Sequence, residues 1–330
     1  MDQALPKGLT RRVCLALPLA GLAPRTGHAA DYPVRPVTFM VPYAAGGTAD
    51  ILARVVAEAF GEVLGQSFIV ENKPGASGTI GCNAVAKSAA DGYTLLFTAG
   101  GPLTIGPNLT KNAPYRAATD FKPIGLLTQV PSFLVVNPAN PAKTVADLVA
   151  AGKARAGKLH FASPGVGTSV HLLSELFRLE AGFEAVHVPY RGGAPAVNDL
   201  LGGHIDFLFE NVPQLLPQVA SNSLRALAVT APARIAAAPA IPTLDEAGVK
   251  NVGVGTWYGL LGPQGLAPAV TAALAEALRK TIASPAVVRR LAELGVETDL
   301  RTEAAFAGFI AEDDARWKAT ITRARIEVAN

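Results

Sequence analysis

Short apolar runs alternate with stretches of helical period along almost the whole chain. Val37–Val41 has the length and composition of a buried strand. Ile51–Leu64 then places Leu52, Val55, Val56, Ala59, Phe60 and Val63 on one helical face. Strand patterns at Phe68–Val70 and Thr94–Phe97 flank a helix predicted from Thr79 to Lys87, which opens after Gly75-Ala76-Ser77-Gly78. This alternation of strand and helix implies a parallel sheet with right-handed crossovers. A second series starts near Phe133–Val136, with a helix from Val145, a strand at Leu159–Ala162 and a helix carrying Leu172, Leu173, Leu176 and Phe177. Strands at Ala185–Val188, Ile205–Phe209 and Leu224–Val229 follow, then a Pro- and Ala-rich loop (Ala231–Pro242) and a strand pattern at Trp257–Leu261. Three helices finish the chain, the last built on Phe306, Phe309, Ile310 and Trp317. The pattern is α/β, and 330 residues suit two lobes better than one core. Crossings between lobes fall near residues 130 and 250, which predicts a first lobe of 30–130 plus 251–330 and a second of 131–250.

Two strand-to-helix turns nearly echo each other. Val41-Pro42-Tyr43-Ala44-Ala45-Gly46-Gly47-Thr48 is followed 147 residues later by Val188-Pro189-Tyr190-Arg191-Gly192-Gly193-Ala194. In each, Pro stops an apolar run and a Gly pair lets the backbone turn tightly and approach a ligand. The helix that follows points its free N–H groups and positive dipole end out of the turn, which suits an anion such as a carboxylate without any charged side chain. Each turn alone is an ordinary β-to-α connection; the pair predicts a clamp with one site in each lobe. In open α/β sheets ligands sit at the carboxyl ends of strands, where these turns lie.

Charge changes the picture only at the N-terminus. Lys7, Arg11 and Arg12 precede an apolar Val13–Ala23 and the small-residue site Gly27-His28-Ala29, the order of an export signal. Its apolar segment is much shorter than the ~20 residues of a membrane span. Removing residues 1–29 takes four basic residues and one acidic residue from totals of 29 and 26, leaving 25 of each. The mature chain thus has no basic surplus for nucleic acid and no segment for membrane insertion, and it reads as a periplasmic monomer. Cys82 alone survives cleavage, so no internal disulfide forms, and its place in a helical stretch reads as packing.

Enzyme constellations are missing from the sequence. There is no Gly-x-Ser-x-Gly elbow, Gly165-x-Gly167 lacks the third Gly of a dinucleotide fingerprint, and the five histidines show no metal-ligand spacing. No cofactor is expected. A cleft hydrolase or lyase using His171 with Asp206 is the enzymatic alternative; a sensory binding protein that signals to a membrane kinase is another.

Several motifs, in one order from about Tyr32 to the C-terminus, carry a family resemblance. Pro42–Asp50, Glu71-Asn72-Lys73-Pro74-Gly75-Ala76-Ser77-Gly78 and Ala90-Asp91-Gly92-Tyr93-Thr94-Leu95 resemble the first lobe of Bug-type extracytoplasmic solute-binding proteins of tripartite tricarboxylate transporters. Gly165-Val166-Gly167-Thr168-Ser169-Val170-His171, the second Tyr-Arg-Gly-Gly turn and Leu201-Gly202-Gly203-His204-Ile205-Asp206 are similar to the second lobe. The resemblance implies a two-lobed periplasmic-binding-protein fold of type II, a Venus flytrap with its ligand cleft between lobes. It also implies a small mono-, di- or tricarboxylate ligand and membrane transporter subunits as partners.

By that resemblance Tyr43, Ala45, Gly46, Gly47 and Thr48 face the ligand from lobe one, with the Ala76, Ser77, Gly78 loop and the Thr98, Ala99 strand end. From lobe two come Gly165, Gly167, Thr168 and the turn Tyr190, Arg191, Gly192, Gly193, Ala194. The hydroxyls of Ser77, Thr98 and Thr168 are of the right type to donate to carboxylate oxygens. Glu210 and Asn211 end a strand facing the cleft and are placed to tune specificity. Asp50, three residues into its helix, reads as completing a cap or favouring the helix dipole and not as an anion contact. His171 is either a contact or a packed histidine, and Arg191 either pairs with a second ligand carboxylate or is a solvated rim charge. The intact mass of the exported form is expected to lack about the first 29 residues, the length implied by the cleavage rule; a full-length exported chain would contradict the leader.

Overall fold

In the computed structural model residues 32–326 are described, apart from 111 and 156, and the leader expected at 1–29 lies outside them. The first elements are β1 (Val37–Val41), α1 (Thr48–Leu64), β2 (Phe68–Asn72), α2 (Thr79–Ala86) and β3 (Thr94–Ala99). β1 pairs in parallel with both β2 and β3, as the alternation of apolar runs predicts. Next come α3 (Ala117–Asp120), β4 (Phe121–Val130) and, after Pro131 alone, β5 (Ser132–Val136). The second series continues with α4 (Val145–Ala154), β6 (Leu159–Ser163), α5 (Ser169–Ala181), β7 (Ala185–Pro189), α6 (Gly193–Leu201), β8 (Phe207–Asn211), α7 (Val212–Ala220) and β9 (Arg225–Val229). The chain then returns through β10 (Thr256–Pro263), α8 (Pro268–Ala283), α9 (Pro285–Glu293), β11 (Thr298–Thr302) and α10 (Glu303–Ala324).

These strands form two sheets. One has the order β11-β4-β10-β3-β1-β2, the other β7-β6-β8-β5-β9. The fold is two-lobed α/β, with β10 inserted antiparallel between β3 and β4. Two strands depart from the sequence pattern. β4 (FKPIGLLTQV) is interrupted by Pro123 and Gly125, and β11 (TDLRT) is polar. Pro123 is tolerated inside a sheet because the ladder with β10 skips a residue there, Leu260 opposing Gly125 and Leu261 opposing Pro123. β11 is an edge strand, where a polar sequence protects the open side. β8 runs two residues beyond the expected Ile205–Phe209, bringing Glu210 and Asn211 into the strand itself.

Each sheet buries apolar side chains on its helices. Phe39, Phe60 and Phe68 pack edge-to-face at 5.1–5.4 Å between β1, β2 and α1. In the second sheet Phe161, Phe177, Phe183, Phe207 and Phe209 form the equivalent cluster with α5. Cys82 is fully buried in a third cluster with Trp257 and Phe306, the packing role expected of it. A buried carboxylate fastens the C-terminal helix to the strands: Asp313 Oδ2 accepts from Trp257 Nε1 and Thr104 Oγ1, both at 2.7 Å. Thr104 belongs to the helical turn Gly101–Ile105 after β3. Asp313→Ala would leave the buried Trp257 N–H without an acceptor, while the Thr104 hydroxyl keeps Gly100 O at 3.0 Å, an expected loss of about 1–3 kcal/mol measured by urea unfolding.

Candidate functional site

The carboxyl ends of the parallel strands in both sheets open on one cavity of about 800 Å³. Its walls are built mostly by loops. In the β1–α1 turn, Gly46 adopts φ +80° and donates its N–H to Asp50 Oδ2 at 2.9 Å, while Asn72 Nδ2 bonds Tyr43 O at 3.1 Å. Burial pushes the Asp50 carboxyl up, but its bonds with Arg54 and Gly46 outweigh this and hold it below the usual range. The cap residue itself is Gly47; Asp50 sits in the first turn of α1, where its charge suits the dipole, and ties back the Gly46 N–H. The first hydrogen bond of α1 runs from Ile51 N to Gly47 O, so Thr48 and Ala49, both on the cavity wall, keep N–H groups without helical partners.

The loop before α2 is unusual backbone. Gly75, Ala76, Ser77 and Gly78 all have positive φ, and two of them carry side chains. Such residues cost of order 1–3 kcal/mol and persist where the surroundings dictate them. Here the loop turns Ser77 toward the opposite lobe: a Cβ built on Gly165 would stand 2.9 Å from Ser77 Oγ.

From the second sheet, Thr168 caps α5, its hydroxyl donating to Gly165 O at 2.8 Å and accepting from His171 N at 3.3 Å. The β7–α6 turn is pinned by Tyr190 N to Ser163 O and Gly192 N to Pro164 O. α6 opens at Gly193 and Ala194, and the third residue, Pro195, has no N–H. At the end of β8, Asn211 donates to the Tyr258 hydroxyl at 2.8 Å, a bond from one sheet to the other.

Most expected residues line this cavity: Tyr43, Ala45, Gly47, Thr48, Ala76, Ser77, Gly78 and Ala99 from one side, and Gly165, Thr168, Tyr190, Arg191, Gly192, Gly193, Ala194 and Glu210 from the other. Four do not. Gly46 spends its N–H on Asp50. Thr98 is fully buried, and its hydroxyl bonds Ala99 O. Gly167 is turned away, its Cβ direction meeting Leu109 at 3.3 Å. His171 is a packed histidine: its Nδ1 accepts from Gly167 N, and its ring lies 4.0 Å from that of His187. Thr168 lines the wall, but the proton of its hydroxyl is committed to Gly165 O, so it is a cap and not a ligand donor. Nor does His171 meet Asp206, which bonds the backbone N–H of His160 and lies 3.8 Å from its ring. The hydrolase alternative therefore has no dyad.

Tyr258, Thr256 and Gln214 also line the cavity and were not singled out from the sequence. Tyr258 had a signal, an aromatic at the start of a predicted strand, but nothing local shows that β10 runs beside β3. Among the described lining residues only Arg191 and Glu210 carry ionisable groups of charge at neutral pH, and Arg191 is exposed.

Burial, then the nearby His187 and Arg178, drives His171 down to about 3 from 6.5. Between these values the unfolded chain binds the proton and the folded one does not, so stability falls as pH drops through that window. His171→Gln is expected to remove up to about 1.4 kcal/mol per pH unit of this slope, read from urea unfolding at about pH 6, 5 and 4.

Residues 52–326 match the tripartite tricarboxylate transporter family receptor (TctC). Protein BugT of Bordetella pertussis is 38% identical over 291 residues, 88% of this chain and 89% of that one. Among solved structures, R. palustris Rpa4515 with adipate superposes with a TM-score of 0.87 at 33% identity, covering 90% of this chain and 99% of that one. MatC from Rhodopseudomonas palustris with bound malate does so at 0.82 and 29% identity, covering 88% of this chain and 100% of that one. With turns, sheets and sequence in agreement over most of its length, the chain belongs to the family of tripartite tricarboxylate transporter receptors.

Proposed function

We propose that this receptor captures a small carboxylate, of the dicarboxylate size that its relatives hold, in the cavity between the two sheets, and delivers it to membrane subunits of a tripartite transporter. The lobes that close on it are 30–130 with 251–330 and 131–250. The observation that carries the reading is the convergence of two Gly-rich turns and their helix starts on a single cavity with one exposed cation in its wall. The N-terminal pattern of basic, apolar and small residues supports delivery to the periplasm.

Ligand contacts come from Thr48 and Ala49 N–H on one side, Gly193 and Ala194 N–H on the other, and the Ser77 hydroxyl. Hydrogen bonds to a charged group contribute roughly 1.5–3 kcal/mol each, so four or five supply most of the ~8 kcal/mol of micromolar binding. Backbone donors are already ordered, so little entropy opposes them.

Gly47 and Arg191 separate this arrangement from an arginine clamp. A Cβ on Gly47 meets only Ala44 O, at 3.5 Å, so Gly47→Val fits the fold yet projects into the anion's approach. Gly193→Val also blocks, but it collides with Gln214 and Glu210, which makes it the less direct test. Thermal-shift screening of mono-, di- and tricarboxylates is expected to find ligands that stabilise by ~2.7 kcal/mol at a hundredfold excess over Kd. Calorimetry should then show binding abolished in Gly47→Val and weakened at most about tenfold in Arg191→Ala, since exposed ion pairs contribute about 0–1 kcal/mol. The reverse order of effects would make the site an arginine clamp.

A further inference from the structure

Glu210 is the buried acid of the cavity wall, 2% exposed. Its Oε1 accepts the Asn211 N–H at 2.8 Å, while Oε2 has no hydrogen-bond partner among the described residues. A Cβ on Gly193 would stand 2.7 Å from Oε2 and 2.5 Å from Gln214 Nε2. The carboxyl therefore lies against the first residue of α6, beside the N–H groups assigned to the ligand.

The elements around it bring no cation into contact. β10 brings Tyr258 and the β1–α1 turn brings Tyr43, both phenols held far above neutrality, first by burial. The β7–α6 turn brings Tyr190, whose hydroxyl is bonded to Asp199, and the exposed Arg191. α7 supplies the Gln214 amide, and β5 supplies Phe133 opposite Glu210. α5, packed on β8, carries His171, which is neutral, and Glu175, which is bonded to Arg178. Burial lifts the Glu210 carboxyl to about 7, against the pull of the Asn211 N–H.

A ligand carboxylate seated at the start of α6 would lie beside this second carboxyl with no cation between them. Two such groups in a desolvated site do not both ionise. We infer that the receptor takes up one proton with its carboxylate ligand, carried on Glu210 Oε2, which then donates a hydrogen bond to a ligand oxygen. The inference rests on the carboxylate reading above. The proton comes from solvent and forms the O–H bond on Oε2; the ligand keeps its charge and no other bond changes. Below neutrality Glu210 already holds the proton, so affinity is level there. Above it each ligand must bring a proton, and affinity falls by up to ~tenfold per pH unit.

Calorimetry with adipate and malate as probes, at about pH 6 and 8 in buffers of different ionisation enthalpy, counts the protons. The wild type is expected to take up more than about half a proton per ligand at pH 8 and close to none at pH 6, with Kd rising between them. Glu210→Gln keeps the acceptor for Asn211 N–H and replaces the acid by a permanent donor. It is expected to bind with no proton uptake and with the same Kd, within about threefold, at both pH values. Wild-type binding without proton uptake at pH 8 overturns the inference and leaves the carboxylate site standing. So does a Glu210→Gln variant that unfolds at the wild-type temperature but no longer binds, because Glu210 would then be an ionised acceptor. Failure of wild type to bind either probe at both pH values removes the dicarboxylate reading and the inference together.

Discussion

The chain passes from one sheet to the other across a single residue, Pro131, and the placing of the cavity depends on that crossing. β10 starts opposite the end of β4, Thr256 facing Val130, and β8 ends opposite the start of β5, Asn211 facing Ser132. With so short a link, the carboxyl ends of β1, β3, β6, β7 and β8 emerge toward the same place, and their turns converge there. Proline suits the position. It has no N–H to leave unpaired, and its carbonyl accepts from Val212 N at 3.0 Å. Ser132 and Thr230 brace the crossing through two hydrogen bonds of 2.9 Å, and Asn211 reaches across to Tyr258.

Rigidity at the walls follows from how the turns are tied. Asp50, Asn72, Ser163 and Thr168 each spend a side chain on holding backbone in place, and none of them is left over for a ligand. These four side chains position main chain, beside which Ser77, Glu210, Gln214 and Tyr258 also line the cavity. The strained Ala76–Ser77 pair fits the same scheme, because it turns a hydroxyl toward Gly165 at a conformational cost that the neighbouring fold sustains.

Local chemistry made the turns legible in the sequence. Pro, paired Gly and a following apolar period define a strand–turn–helix unit without reference to anything distant, so both Gly-rich turns and the helices after them fall where expected. What was not legible is what depends on sheet order. β4 was hidden because Pro123 and Gly125 break its alternation, and their tolerance comes from a bulge against β10, a strand far along the chain. His171 and Thr98 have the right chemistry and neighbours in sequence, yet pleat and helix phase turn them inward. Tyr258 reaches the cavity only through the pairing of β10 with β3 and β4, which no window of sequence contains.

Pro195 has a consequence for which anions the second turn can satisfy. A helix start commonly offers three free N–H groups, but a proline at the third position of α6 leaves two, those of Gly193 and Ala194. Two parallel donors match the two oxygens of one flat carboxylate. A tetrahedral oxyanion such as phosphate or sulfate presents a third oxygen where the missing main-chain donor would be, and would have to find its partner among side chains. The valence of the turn is thus set by one imino acid, at two main-chain donors.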